Sequence, residues 1–538
     1  MSLRLEEQQV LVETWLGSNT AQGLAQGFLQ LPDGLPAVGE VLDLRGWALV
    51  DEVVITPGSE EALISGTLSF QMVYGADGVA SEGTRLPIYS ADWPAALDFS
   101  GKVEIPGIDP ETQIQAQVRV ESIDFSLEDN RREMEVEAIL QFQATARKGA
   151  TVDIISSAQG SGSHKIKGES KNISIEEGVR RGLFEGTVRD ELTLPEGEPS
   201  LIRVIQISPR PVIDQREVRP NQGVIRGHVN YRILYWGEAD GQDGLHQVEL
   251  TSAQPFELGL ELDGLRPGME LDVVCQPAQV RLLNRGTESL VVEVDLDLAL
   301  KAYRPKQLAI INDLTGEGDL VQTRKDILRF DQFIGQVERQ SLVERTLNLP
   351  VEEPRLEQVL QLEVSAEAVE VTVGEGKITV EGEAFFKLIY LTTPEEQYPL
   401  GVISWTEPVP FTVNLDMAGA RPGMNGFVDF RITESRAQVI NEEQVSIDCL
   451  VNTKVVVYET IEEEVVMEAV AIEPLPEDPP SITFVVVGER DTLWKLSRRY
   501  YTSEENIIAA NPWLEEKEGR TLDKGWKLFI PRRKAQGV

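Results

Sequence analysis

Two cysteines and three histidines among 538 residues leave little for thiol, imidazole or zinc chemistry, and aromatic residues make up only 6% of the chain. So few cysteines cannot build the disulfide framework of a small secreted domain. Cys449 lies on the apolar side of the run Val445, Ile447, Cys449, Val451, and Cys275, eight residues after Pro267, matches Ile114 and Phe430 at corresponding places. Both read as small core residues in a reducing compartment. No stretch approaches the roughly 20 apolar residues of a membrane-spanning helix, and the first seven residues lack the apolar core of a signal peptide. A cytosolic protein without a transmembrane segment is the expectation. Basic residues are outnumbered as well, 50 to 89, for a net charge of −39. Such a surface disfavours nucleic acid and anionic membranes and favours protein partners.

What the chain has is repetition. Gly66–Tyr74, Gly227–Tyr235 and Gly382–Tyr390 each run from a glycine to a tyrosine eight residues on. Apolar residues hold the even positions (Leu68, Phe70 and Met72 in the first copy) and polar ones such as Gln71, Arg232 and Lys387 hold most of the odd ones. That alternation is a half-buried β-strand. A Pro-Gly pair follows at Pro106-Gly107, Pro267-Gly268 and Pro422-Gly423, with 32 residues from tyrosine to proline every time. Three copies of one domain are therefore expected, over 10–150, 176–304 and 328–462. Within each, outward acids alternate with inward apolar residues, as in Glu133, Glu135 and Glu137 against Met134, Val136, Ala138, Leu140 and Phe142. Alternation of this kind points to an antiparallel sandwich or barrel. The glycines suit a bulge or a close backbone approach, the Pro-Gly pairs a turn, and the tyrosines the end of a core face with the hydroxyl directed outward.

Between the copies, the Ser/Gly-rich stretch 156–172 reads as a flexible linker, 305–326 as a joint, and the proline-rich 473–480 as a semi-rigid spacer. Beyond the spacer the chain changes character. Residues 481–538 hold 11 Lys/Arg and 8 Asp/Glu, a mildly basic tail on an acidic body. Its pattern is strand, helix, helix, strand. Val485 and Val487 alternate inward, Asp491 is placed to cap a first helix bearing Leu493, Leu496 and Tyr500, and Thr502 with Glu505 forms a capping box for a second bearing Ile507 and Ile508. Asn511-Pro512 ends that helix and Gly525 opens a closing strand.

These tail residues, Asp491-Thr-Leu-Trp494, Asn511-Pro512 and Gly525 to Pro531, resemble a LysM domain over about 50 residues, with Arg490 where that family usually has glycine. The resemblance implies a small βααβ fold. It also implies a partner- or glycan-binding surface on Asp491, Thr492, Leu493, Trp494, Asn511, Pro512 and Trp513. The tail holds three of the eight tryptophans, and Trp494 is the first choice for an exposed anchor. Arg498-Arg499 and Arg532 to Lys534 could complement an acidic partner or keep the tail soluble. The three repeats resemble the SPOCS domain, and three of these before one LysM resembles the family of spore-coat morphogenetic proteins of sporulating clostridia. That resemblance implies a scaffold in the mother-cell cytosol at the forespore surface, docked through its LysM domain on a morphogenetic ATPase while the β-domains recruit coat proteins.

An enzyme would need a site that the sequence does not offer. His164 falls in the linker stretch, His228 stands where the sister repeats have Thr67 and Glu383, and no two Cys or His fall at zinc-ligand spacing. No phosphate-binding Gly-x-x-x-x-Gly-Lys-Ser/Thr loop is present. The expectation is a mainly β, non-enzymatic protein without cofactor or metal, in which linked repeats act as a multivalent platform. The other reading is a protein that binds the N-acetylglucosamine glycan of peptidoglycan in the cell wall.

Overall fold

The computed structural model describes residues 3–78, 85–160, 166–239, 241–316, 321–471, 483–488, 491–500, 502–514 and 522–531. The first repeat comprises β1 (Leu3–Gln30), β2 (Val38–Ile55), β3 (Glu61–Ala76), β4 (Ile88–Glu104), β5 (Gln113–Leu127) and β6 (Glu133–Gly160). The second comprises β7 (Ile166–Thr193), β8 (Ser200–Arg219), β9 (Gln222–Ala239), β10 (Gln242–Thr251), β11 (Phe256–Glu261), β12 (Glu270–Arg285) and β13 (Ser289–Gly316). The third comprises β14 (Val321–Asn348), β15 (Leu356–Val373), β16 (Lys377–Thr392), β17 (Leu400–Ser404), β18 (Val409–Asp416), β19 (Asn425–Asn441) and β20 (Gln444–Ala471). Each repeat folds into two antiparallel sheets, in the first β1-β6-β5 and β2-β3-β4. Their inner faces enclose one core, with Leu68, Phe70 and Met72 of β3 meeting Val136, Leu140 and Phe142 of β6. The repeats are sandwiches, as the alternation allows.

The repeated stretch is the middle strand of the second sheet, and its landmarks have physical causes. At Gly66 an added Cβ would lie 1.9 Å from the Leu49 carbonyl oxygen and 2.7 Å from the Phe99 ring. At Gly227 the intruders are the Val212 oxygen and Phe256, and at Gly382 they are Phe411 and the Glu367 oxygen. In all three copies the neighbouring strand bulges beside the glycine, at Val50/Glu52, Ile213/Gln215 and Ala368/Glu370. Tyr74, Tyr235 and Tyr390 donate their hydroxyls to the carbonyls of Pro36, Pro199 and Pro354 at 2.9, 3.3 and 2.7 Å. Burial pushes the Tyr74 and Tyr235 phenols up to about 12. Gly107, Gly268 and Gly423 all have positive φ, the conformation that a Pro-Gly turn requires.

Cys449 is buried in the third core. Cys275 stands opposite Leu298, and the residue of β5 in the same place, opposite Phe142, is Val118 rather than Ile114. The reason is a longer turn in the first repeat. Its strand β5 starts six residues after Gly107, whereas β12 and β19 start two residues after Gly268 and Gly423.

The expected linkers 156–172 and 305–326 are largely strand. The outer pair of each repeat consists of two strands of 28 residues, β1 with β6, β7 with β13 and β14 with β20. These hairpins run past the bounds 10–150, 176–304 and 328–462, and their far ends pack together. Val10, Ile173 and Leu328, each the eighth residue of its strand, share one apolar cluster with Val12, Ile175 and Phe330 and with Ile154, Ile310 and Val465 from the returning strands. Equivalent residues from all three repeats thus meet around a quasi-threefold axis. A second cluster joins the sheets' outer faces through Val73, Leu234 and Ile389, the same odd position of β3, β9 and β16. The repeats form one interlocked body. The spacer 473–480 and His164 lie outside the described residues.

Polar contacts tie the repeats in a cycle. The eleventh residues of β1, β7 and β14 are Glu13, Glu176 and Asp331, and each is held by the next repeat. Arg181 donates to Glu13 at 2.6 Å, Tyr458 to Glu176 at 2.9 Å, and Arg147 sits 3.8 Å from Asp331. In the second layer, buried Asp43 accepts from Arg45 at 2.6 Å and from Lys387 of the third repeat, while Arg45 reaches Glu363 of that repeat at 2.9 Å.

Candidate functional site

The tail folds as expected into a βααβ unit. Strand β21 (Thr483–Val486) pairs antiparallel with β22 (Lys527–Ile530), and α1 (Leu493–Arg499) and α2 (Glu504–Ala510) lie between them in sequence. Its core is Val485, Val487, Leu493, Leu496, Ile507, Leu514, Leu528 and Ile530. Both helix caps fall one residue later than their expected starts. Thr492 caps α1, its hydroxyl accepting from Lys495 N–H at 3.1 Å, and Ser503 caps α2, accepting from Asn506 N–H at 3.2 Å. Asp491 instead accepts from Gly488 N–H at 2.8 Å and pairs with Arg499 at 3.4 Å, tying the loop before α1 to the end of that helix.

The seven residues expected to form the binding surface separate into two groups. Leu493 belongs to the core, and Asp491 and Thr492 are engaged in the local bonds just given. Asn511 is buried. Its amide donates to the Ile507 and Phe529 carbonyls, both at 2.7 Å, and accepts from Phe529 N–H at 2.9 Å. It clamps α2 to the closing strand, a structural task that occupies both ends of the amide.

Trp494 also departs from expectation. At 7% exposure it is an internal contact, packed against Val470 at the end of β20, with Lys495 beside it 3.6 Å from Glu7 of β1. Helix α1 therefore seats the tail on the far end of the hub. Its i, i+3 spacing placed Leu493 and Leu496 in the domain core correctly, but could not disclose that the adjacent tryptophan faces another domain.

Pro512 and Trp513 remain at the surface. Trp513 is 41% exposed and meets Trp526 edge to face, with centroids 4.9 Å apart. A second exposed group, missed in the sequence, is Phe484 and Val486 on the outer face of β21, with Phe484 5.5 Å from Phe529 across the strand pair. The signal was available, since both lie in the outward phase of the alternation that buries Val485 and Val487. Exposed indole of this kind stacks on sugar rings or anchors a protein interface. Arg490 and Arg532 to Lys534 lie outside the described residues.

Elsewhere, burial pushes the Cys275 and Cys449 thiols up to about 11, so neither is a ready thiolate. His228 Nδ1 lies 2.9 Å from Asp214 at the surface of the second repeat. Among the described residues no group of three His, Cys, Asp or Glu is placed to hold a metal ion, and no helix is long and apolar enough to cross a membrane.

Fold and site together define a mainly β protein of repeated sandwiches carrying a small βααβ module. The family model described as "SipL, SPOCS domain" matches residues 37–128, 201–282 and 355–440, and that of the LysM domain matches 485–531. The chain thus has a SipL-like architecture, three SPOCS domains followed by one C-terminal LysM domain. The SPOCS matches begin at the second strand of each repeat and stop before the last, so the long outer hairpins of the hub lie beyond them. Neither the curated proteins nor the solved structures that were searched contain a match. SPOCS and LysM domains together fit a sporulation-related protein with the capacity to bind peptidoglycan.

Proposed function

We propose that the protein is a non-enzymatic scaffold for assembly of the spore coat, working in the mother-cell cytosol at the forespore surface. Its LysM domain docks on the coat morphogenetic ATPase, and its β-body organises coat proteins. The observation that supports this reading most is the interlocking of three SPOCS repeats into one body that carries the LysM domain at the end of its hub. Such a body holds several surfaces at fixed mutual angles, which suits an assembly platform. Exposed Trp513, set edge to face on the partly buried Trp526, supplies an anchor for the docking step.

The same pair favours a second reading, retention on peptidoglycan, because indole faces stack on N-acetylated sugars. The test is the full chain, immobilised and challenged separately with purified peptidoglycan and with a sporulating-cell lysate, alongside Trp513→Ala. Capture of a coat-associated ATPase by the parent chain, lost in the variant and without peptidoglycan retention, is the expected result. Retention of peptidoglycan alone would replace the docking reading with the wall reading.

A further inference from the structure

The quasi-threefold arrangement allows equivalent positions to be compared across the repeats. Where the repeat-specific charges of the joints are matched by partners, one repeat-specific cluster is not. At the boundary between the first and second repeats, a cleft of about 580 Å³ is walled on one side by Leu11 and Thr151 and on the other by Arg180, Arg266 and Arg304. Arg266 belongs to the loop between β11 and β12, and the other two arginines border that loop. Arg304 donates to the Pro267 carbonyl at 3.3 Å, and a Cβ on Gly264 would lie 2.6 Å from Arg180 Nε.

Among the described residues no carboxylate forms an ion pair with any of the three. The one acid lining the cleft, Glu177, is taken by Lys306. In the first repeat the corresponding places hold Gly17, Ile105 and Lys148, the last paired with Asp109. In the third they hold Gly335, Arg421 and Glu459. Three unneutralised guanidinium groups in a chain of net charge −39 cannot be put down to a generally basic surface. Guanidinium groups present fork-like pairs of donors that match phosphate and carboxylate oxygens.

We infer that this cleft is a binding site for a small anion bearing two or more phosphate or carboxylate groups, held by Arg180, Arg266 and Arg304. The cleft takes a ligand of small-molecule size, and the acidic surroundings repel larger polyanions. The site does not depend on the LysM docking reading.

The test uses the full chain at constant ionic strength, titrated calorimetrically with pyrophosphate in one arm and citrate in the other. Two variants carry sister-repeat residues, Arg266→Ile and Arg304→Glu, and Arg421→Ser removes the lone arginine among the three equivalent positions of the third repeat. Saturable binding of either anion, weakened about tenfold or more by each of the first two changes and unaltered by the third, is expected. The arm that responds assigns the site to phosphate or to carboxylate chemistry. Absence of saturable binding in both arms would overturn the inference. Equal weakening by Arg421→Ser, or unweakened binding in the sister-residue variants, would do the same.

Discussion

The contact between Asp43 and Lys387 is where the interlocked body can be tested most directly, because its partners are 344 residues apart and belong to different repeats. Asp43→Asn leaves the Lys387 ammonium half-buried with its anionic partner gone, and takes from Arg45 one of its two carboxylates, leaving Glu363. Breaking a buried ion pair from one side costs about 3–5 kcal/mol. The lower end applies here, since Arg45 keeps Glu363 and an amide oxygen of Gln206 at 2.8 Å. Lys387→Met should cost less, because the Asp43 carboxylate keeps Arg45 at 2.6 Å. The double variant removes both charges, so its loss should fall short of the sum by about 2 kcal/mol, a typical charge-assisted hydrogen bond. Urea unfolding followed by tryptophan fluorescence measures all four corners of this cycle.

Acid adds a second reading of the same contact. Burial pushes the Asp43 carboxyl up, but the pull of Arg45 and Lys387 outweighs it and holds the group below the usual range. Its folded value is thus lower than its unfolded value near 3.9. The stability it contributes is present above that unfolded value and disappears as pH falls through the folded one. Asp43→Asn should therefore lose most at neutral pH and approach the parent in acid. Losses that add to within about 0.5 kcal/mol would refute the coupling and, with it, the cross-repeat contact.

Other expectations follow from the same geometry. Gly66→Ala places a methyl 1.9 Å from the Leu49 oxygen, so it should destabilise by about 3 kcal/mol or more, read as a fall in the thermal midpoint. Gly382→Ala, whose nearest backbone oxygen is 3.0 Å away, should be milder. In the second repeat Tyr231 donates to Asp190 at 2.5 Å, and burial raises the Asp190 carboxyl above its ordinary value. That raised value is a penalty growing as pH rises from about 4, so Asp190→Asn, which keeps an acceptor for Tyr231, should stabilise the protein at pH 7 and change little at pH 3. Trp494→Ala should cost about 3–5 kcal/mol of local stability and release the tail from Val470, seen as faster proteolysis after residue 471 with the sandwiches intact.

The strands, the number of repeats and the βααβ tail were legible because alternation and fixed spacing are local signals. The reasons for Gly66 and Tyr74 could be read too, since both act on strands close by in sequence. The hub was less visible, although its signal existed. Val152 and Ile154, Ile173 and Ile175, and Leu308 and Ile310 continue the inward alternation past the expected domain ends. Gly160 to Ser163 have the composition of a linker instead. Likewise Val73, Leu234 and Ile389 break the polar phase of the repeated strand, because that position is buried a second time, against the sister repeats. The ionic contacts could not be read at all. Arg45, Ser208 and Glu363 occupy one position in three chemistries, and complementarity between such positions shows only when the axis brings them together.

That asymmetry bears on how the repeats work. Three independent sandwiches on flexible linkers would act by effective concentration, each binding its partner separately. An interlocked body behaves differently. Its valency is set by geometry, and the cycle uses arginine at two joints, Arg181 to Glu13 and Arg147 to Asp331, and tyrosine at the third, Tyr458 to Glu176. The body holds the LysM domain beside Glu7 and Val470. A single excised repeat would expose its share of the apolar hub, Val10, Val12 and Ile154 in the first, and would leave Glu13 without its arginine. Loss of partner binding by such a fragment would report the broken hub before it reported any missing contact, so the partner surfaces are to be mapped by point substitutions on the outward faces of the intact chain.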